Sequence, residues 1–150
     1  MPSPLLAKPV PGPIRGTDSS GSGAFGALRG GRLHRGIDIC CEPGETVRSP
    51  VSGVVGRLIL CYEGDIYTGA SIDCDWCEVR LLYVNPTVRP GDSVVKFDAI
   101  GEAQDITKRY PNITNHIHFE VRLKSGAGAL EGKGRPLQRE VWANPMYYIY

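Results

Sequence analysis

The chain has 150 residues, is 41% hydrophobic, and carries 17 basic against 16 acidic side chains for a formal net charge of +1. That length supports one compact domain with its own core rather than two. Charges so nearly balanced and so mixed along the chain leave no basic stripe for a phosphate backbone, which excludes nucleic acid as an expected partner.

Residues 1–23 are rich in Pro, Gly and Ser without apolar periodicity, and are expected to form a loose arm outside the core. The opening "MPSPLLAKPVPGPIRG" offers only Leu5, Leu6 and Ala7 before Lys8, short of the roughly 7–15 apolar residues of a secretory leader. An intracellular location is therefore expected, and a secreted one if the chain is a processed form. "GSGAFG" satisfies G-x-G-x-x-G, but no strand precedes it and no helical pattern follows, so its glycines are assigned to turns and not to a dinucleotide loop.

From Ala24 onward, apolar runs alternate with Gly and Pro turn signals: "GIDICCEPGETV", "SPVSGVVGRLILCY", "CEVRLLYV", "NPTVRPGDSVVKFDAIG", "HIHFEVRL" and "WANPMYYIY". Runs of this length, rich in Val, Ile, Leu and Tyr, predict an all-β domain over residues 24–150, a single antiparallel sheet or sandwich. Pro43-Gly44 and Pro90-Gly91 mark turns, and "DITKRY" carries at most a turn or two of helix. "VSGVVGRLILCY" is interrupted by Arg57 and falls short of the ~20 residues of a membrane span. "KSGAGALEGKGRPLQRE" reads as a long surface loop. The closing "MYYIY" either packs on its own sheet or, with the N-terminal arm, docks onto a protein partner.

The five cysteines are expected as reduced thiols. Cys74 and Cys77 in "CDWC" have the spacing of a zinc knuckle or a redox pair, without a second such motif to complete a four-cysteine site, and incidental packing is the plainer alternative.

Two of the three histidines lie in "NHIHFEV". On a strand, His116, His118 and Glu120 share one face while Ile117, Phe119 and Val121 share the other. That suits a metal ligand beside a general base, and equally two histidines on a wet sheet face. The third, His34, precedes Gly36 and Asp38 in "LHRGIDI". A carboxylate among isoleucines is costly unless paired or bound to a cation, although His34 and Asp38 hydrogen-bonding each other would also serve. Two imidazoles and a carboxylate make a possible three-ligand set of the kind found in catalytic zinc sites.

"HRGIDICCEPGETVRSPVSGVV" resembles the H-x-G-x-D motif and following strand of the lysostaphin-type zinc endopeptidases, "HIHFEVR" resembles their H-x-H motif, and "NPMYY" is similar to their closing Asn-Pro segment. Cys41 and Cys77 resemble the cysteines of the leukocyte cell-derived chemotaxin 2-like relatives within that group, which keep the zinc ligands without the full catalytic set. The resemblance implies zinc held by His34, Asp38 and His118, with His116 as the catalytic histidine. It also places Tyr83 and Asn85 of "LLYVNPTV" on a Tyr-x-His-Leu motif, with Asn85 where those peptidases have a second non-ligand histidine. Asn85 donates hydrogen bonds but carries no proton near neutral pH. The leading expectation is thus a catalytically degenerate zinc domain serving as a protein-binding or structural module. The alternatives are an active zinc endopeptidase cleaving Gly-rich or peptidoglycan-type peptides, with His116 as base and Tyr83 or Asn85 polarising the carbonyl, and an intracellular scaffold component.

Overall fold

The alternation read along residues 116–121 lies in a strand of the main sheet that pairs with three others. The computed structural model describes residues 6–18, 20–29, 32–124 and 141–149. Its strands are β1 (Leu28–Arg29), β2 (Arg32–Leu33), β3 (Ile37–Cys40), β4 (Thr46–Arg48), β5 (Gly53–Leu60), β6 (Thr68–Asp73), β7 (Cys77–Leu82), β8 (Val84–Pro86), β9 (Ser93–Val94), β10 (Ala99–Ala103), β11 (His116–Leu123) and β12 (Val141–Ala143). The fold is all-β and antiparallel, with 3-10 turns at Ile106–Lys108, within the stretch expected to carry a turn of helix, and at Pro145–Tyr147.

The main sheet runs β12-β11-β7-β6-β5-β9, and β3 also pairs with β11. One edge of β11 is shared end to end: β3 takes His116 to Phe119 and β12 takes Val121 to Leu123, while β7 pairs along the other edge from His118. A second sheet, β4-β10-β8, packs beside it, and β1 with β2 forms a short ribbon. Ile117, Phe119 and Val121 are fully buried with Ile37, Ile39, Ile72, Val79 and Leu81. Each such side chain contributes about 1.5–3 kcal/mol on leaving water, so β11 is held in register by the face turned away from the histidines.

Residues 6–23 correct one expectation. The described residues 6–18 and 20–23 are not outside the core: Leu6, Ala7 and Val10 are buried. Arg15 N–H donates to the Asp38 carbonyl (2.8 Å), Cys40 N–H to the Pro13 carbonyl (2.8 Å) and Asp38 N–H to the Gly23 carbonyl (2.9 Å). Glycine is required at position 12, where a Cβ would lie 2.0 Å from the Cys40 carbonyl oxygen. The C-terminal aromatics pack on their own fold: Tyr148 lies against Trp76 (ring centroids 5.4 Å apart) and Ile149 pairs with Leu6, while Tyr147 is exposed. The loop expected after Lys124 lies, at residues 125–140, outside the described residues. Among the described residues no helix is long and apolar enough to cross a membrane.

Candidate metal centre

Register brings the histidines together. His118 on β11 stands opposite Asp38 on β3, and His116 stands opposite Cys40. His34 enters from the turn before β3, and Gly36 permits the close approach: a Cβ there would sit 2.4 Å from the Phe119 carbonyl oxygen and 3.0 Å from His118 Cε1. All three histidines and Asp38 are buried.

Three inward atoms form a triangle. His118 Nδ1 lies 2.9 Å from Asp38 Oδ1 and 3.0 Å from His34 Nε2, which is 3.2 Å from the same carboxylate oxygen. The opposite ring nitrogens face acceptors: His34 Nδ1 lies 2.9 Å from the Ala24 carbonyl, His118 Nε2 2.9 Å from Glu120 Oε1, and His116 Nδ1 2.8 Å from the Thr114 carbonyl. Carbonyls and carboxylates only accept, so each outward nitrogen carries the proton and each neutral ring turns a bare lone pair inward. Two lone pairs and a carboxylate oxygen in mutual contact repel unless a cation or a proton lies among them.

The electrostatics show how the cluster fares with protons alone. Burial opposes ionisation of Asp38, but the His118 hydrogen bond and the neighbouring imidazoles outweigh it and hold the carboxyl far below its usual range. Burial also opposes charging of His118, yet the bonds to Asp38 and Glu120 prevail and push it up to about 9. For His116, burial dominates over the pull of Asp38, and its pKa falls below the ordinary value. A divalent cation would meet the same lone pairs with twice the charge. Ligands of a tetrahedral zinc with bonds near 2.0–2.1 Å stand about 3.3 Å apart, close to the 2.9–3.2 Å edges found here, so His34, Asp38 and His118 fit zinc in number, atom type and spacing.

Partners behind the ligands fix their orientation. Glu120, buried, takes the His118 Nε2 proton and is itself bonded by Arg35 Nε (3.1 Å), whose guanidinium lies over Trp142 at 4.2 Å. Arg15 grips the second carboxylate oxygen of Asp38 through Nε (3.1 Å) and Nη2 (3.0 Å), and reaches Asp18 Oδ1 through Nη1 (2.7 Å). Glu120 was visible as a member of the histidine face. Arg15 carried no signal, because it sits in a Pro/Gly-rich stretch 23 residues from its partner.

Of the residues assigned a catalytic role by resemblance, the structure brings two to this cluster and not the third. His116 Nε2 lies 3.5 Å from Asp38 Oδ2. The Tyr83 ring stands edge-on to His116 with centroids 5.7 Å apart, and its hydroxyl meets that of Tyr62 at 2.6 Å. Tyr83 adopts φ 68° between β7 and β8. That left-handed residue interrupts the alternation which would have put Tyr83 and Asn85 on one face. Asn85 is exposed on the second sheet, opposite Glu102. Beside the centre, Pro11, Pro13, Cys40, Cys41, Glu42 and Asn115 line an open cleft of about 450 Å³.

No family model matches the chain. It is 32% identical over 109 residues to leukocyte cell-derived chemotaxin-2 of Bos taurus, a match covering 71% of this chain and 72% of that protein. Its fold is shared with the catalytic domain of the antimicrobial peptidase lysostaphin from Staphylococcus simulans, with a TM-score of 0.57 at 18% identity over 85% of this chain and 89% of that one. It is shared also with a zinc containing peptidase from Vibrio cholerae, with a TM-score of 0.52 at 22% identity over 77% of this chain and 35% of that one.

Proposed function

We propose that this chain, which belongs to the leukocyte cell-derived chemotaxin-2 family, is a zinc-holding, peptidase-like domain that works by binding a protein partner and not by hydrolysis. One observation carries the reading. The chain has three histidines, all gathered at the centre, and the residue that resemblance aligns with a further catalytic histidine, Asn85, is exposed away from it. His34, Asp38 and His118 would hold the metal. Zinc, when bound, supplies Lewis acidity and positive charge to the cluster. Arg15 and Glu120 orient the ligands, and His116 offers a bare Nε2 on the same face. Loss of a polar group that stabilises a transition state lowers rates about 10²–10³-fold, and loss of a general acid or base about 10²–10⁴-fold. A domain lacking that second histidine is therefore suited to holding a ligand at the metal face more than to turning it over.

The peptidase reading is favoured by Tyr83. Its ring stands against His116, and burial and the Tyr62 hydrogen bond push its hydroxyl pKa up, so the group stays protonated. Incubating the zinc-loaded chain and its His116→Ala variant with a pentaglycine peptide decides between the two. The binding module shows no turnover in either. Cleavage by the parent chain that disappears in the variant identifies an enzyme.

A further inference from the structure

A second pair of reactive groups lies at the far end of the main sheet, independent of the metal face. The hairpin joining β6 to β7 closes through Cys74-Asp75-Trp76-Cys77, with Cys74 N–H donating to the Cys77 carbonyl at 3.0 Å. The turn is pinned from outside: Lys124 Nζ donates to the Cys74 carbonyl (2.7 Å), Lys124 N–H donates to the Trp76 carbonyl (3.1 Å), and Trp76 packs on Tyr148. This geometry holds the two sulfurs 3.4 Å apart. Rotation about the Cα–Cβ bonds has only about 1.4 Å to close before reaching the ~2.05 Å of a disulfide.

The two thiols differ in a way that suits sequential exchange. Cys74 is half-buried and reachable, whereas Cys77 is fully buried against Leu123 of β11. Among the described residues, no histidine, cysteine or carboxylate joins the pair as a third metal-ligating group; the one such cluster is His34, Asp38 and His118. The charged groups around the turn are Asp73, Asp75 and Lys124. The bond from the Cys77 thiol, with the amides of Trp76 and Cys77, outweighs burial and Asp75 and brings Cys74 down to about 6, while burial pushes the thiols of Cys40, Cys41 and Cys61 up.

We propose that Cys74 and Cys77 form a reversible dithiol–disulfide site whose substrate is a low-molecular-weight disulfide of the glutathione class. The Cys74 thiolate attacks one sulfur of the small disulfide, forming a mixed disulfide and releasing one small thiolate, which takes up a proton. The Cys77 thiol then gives up its proton and attacks the Cys74 sulfur, closing the protein disulfide and releasing the second small thiol. The protein dithiol loses two electrons and two protons, and the small disulfide gains both. Closure fixes the hairpin tip that carries Trp76 against Tyr148.

The full chain, equilibrated in buffers of reduced and oxidised glutathione, quenched in acid and alkylated, tests this. Cleavage at Arg57 and Arg80 releases one peptide carrying Cys61, Cys74 and Cys77. In oxidised buffer that peptide is expected two hydrogens lighter, with Cys61 alkylated and the other two protected. Cys77→Ser should arrest with one glutathione on Cys74, and Cys74→Ser should leave Cys77 unmodified. Alkylation of all three cysteines in oxidised buffer, a disulfide that includes Cys61, or glutathione arriving on Cys77 overturns the proposal. So does protection of both cysteines by zinc without oxidant, which would mark a metal knuckle. The unmutated chain decides on its own if either variant fails to fold.

Discussion

Glu120 offers the sharpest test of how the metal centre is built. Its Oε1 accepts the His118 Nε2 proton at 2.9 Å and so commits that ring to presenting Nδ1 toward Asp38. Glu120→Ala leaves a buried ring N–H without its acceptor, at a cost of about 1–3 kcal/mol. Arg35, half-exposed, turns to solvent instead. The ring is also free to adopt the other tautomer, which puts a proton where the metal bond forms. Loss of partners of this kind weakens metal binding about 10–100-fold, or about 1.4–2.8 kcal/mol at 1.4 kcal/mol per decade. Glu120→Gln keeps an acceptor oxygen and loses only the charge, so it should fall near the lower end of that range. Competition for zinc against a chromophoric chelator measures both variants, with circular dichroism to confirm that the sheet is intact. A folded Glu120→Ala protein that binds zinc within twofold of the parent would refute the reasoning.

Arg15→Ala removes the guanidinium from a carboxylate buried on all sides and should destabilise the metal-free protein by about 3 kcal/mol; the denaturant midpoint reads this, and residues 6–23 should become more susceptible to protease. Gly36→Ala should bring its new Cβ against the Phe119 carbonyl and cost about 1–3 kcal/mol, with zinc affinity falling alongside stability in the same titration. Burial opposes ionisation of Glu78, but Arg122 and Arg80 outweigh it and hold the carboxyl below its usual range. Its folded pKa being depressed, Glu78 adds stability that is present above the unfolded value of about 4.3 and is lost as pH falls through the folded one. Glu78→Gln should therefore flatten the acid limb of stability below about pH 5, as followed by thermal melts across pH.

Much of the architecture was legible because apolar and polar residues alternate between the two faces of a strand, although both faces of β11 are buried and neither is wet. Ile117, Phe119 and Val121 alternate with His116, His118 and Glu120, and the two sets occupy opposite faces as read. Chemistry alone pointed only to a possible set of two imidazoles and Asp38, since a carboxylate between isoleucines needs compensation; the choice of His34, Asp38 and His118 came from the resemblance. What stayed hidden depended on contacts that composition does not encode. Residues 6–23 look like a solvated arm by their Pro and Gly content, yet Pro13 bonds Cys40 of β3, an approach that only the absence of a side chain at Gly12 allows. Arg15 thereby reaches Asp38. Tyr83 looks like an ordinary strand residue, and only its left-handed backbone reveals that β7 ends before it and that Asn85 turns away from the histidines.

The central claim is that the inward lone pairs of His34 and His118, with Asp38, hold one zinc. Metal content by mass spectrometry on the purified chain, beside His118→Ala, tests it most directly. Close to one equivalent of zinc is expected in the parent, and its loss in the variant. A parent chain that takes up no zinc when it is supplied, or a variant that retains it fully, would contradict the account and leave the cluster as a proton-sharing network of Asp38 and three histidines.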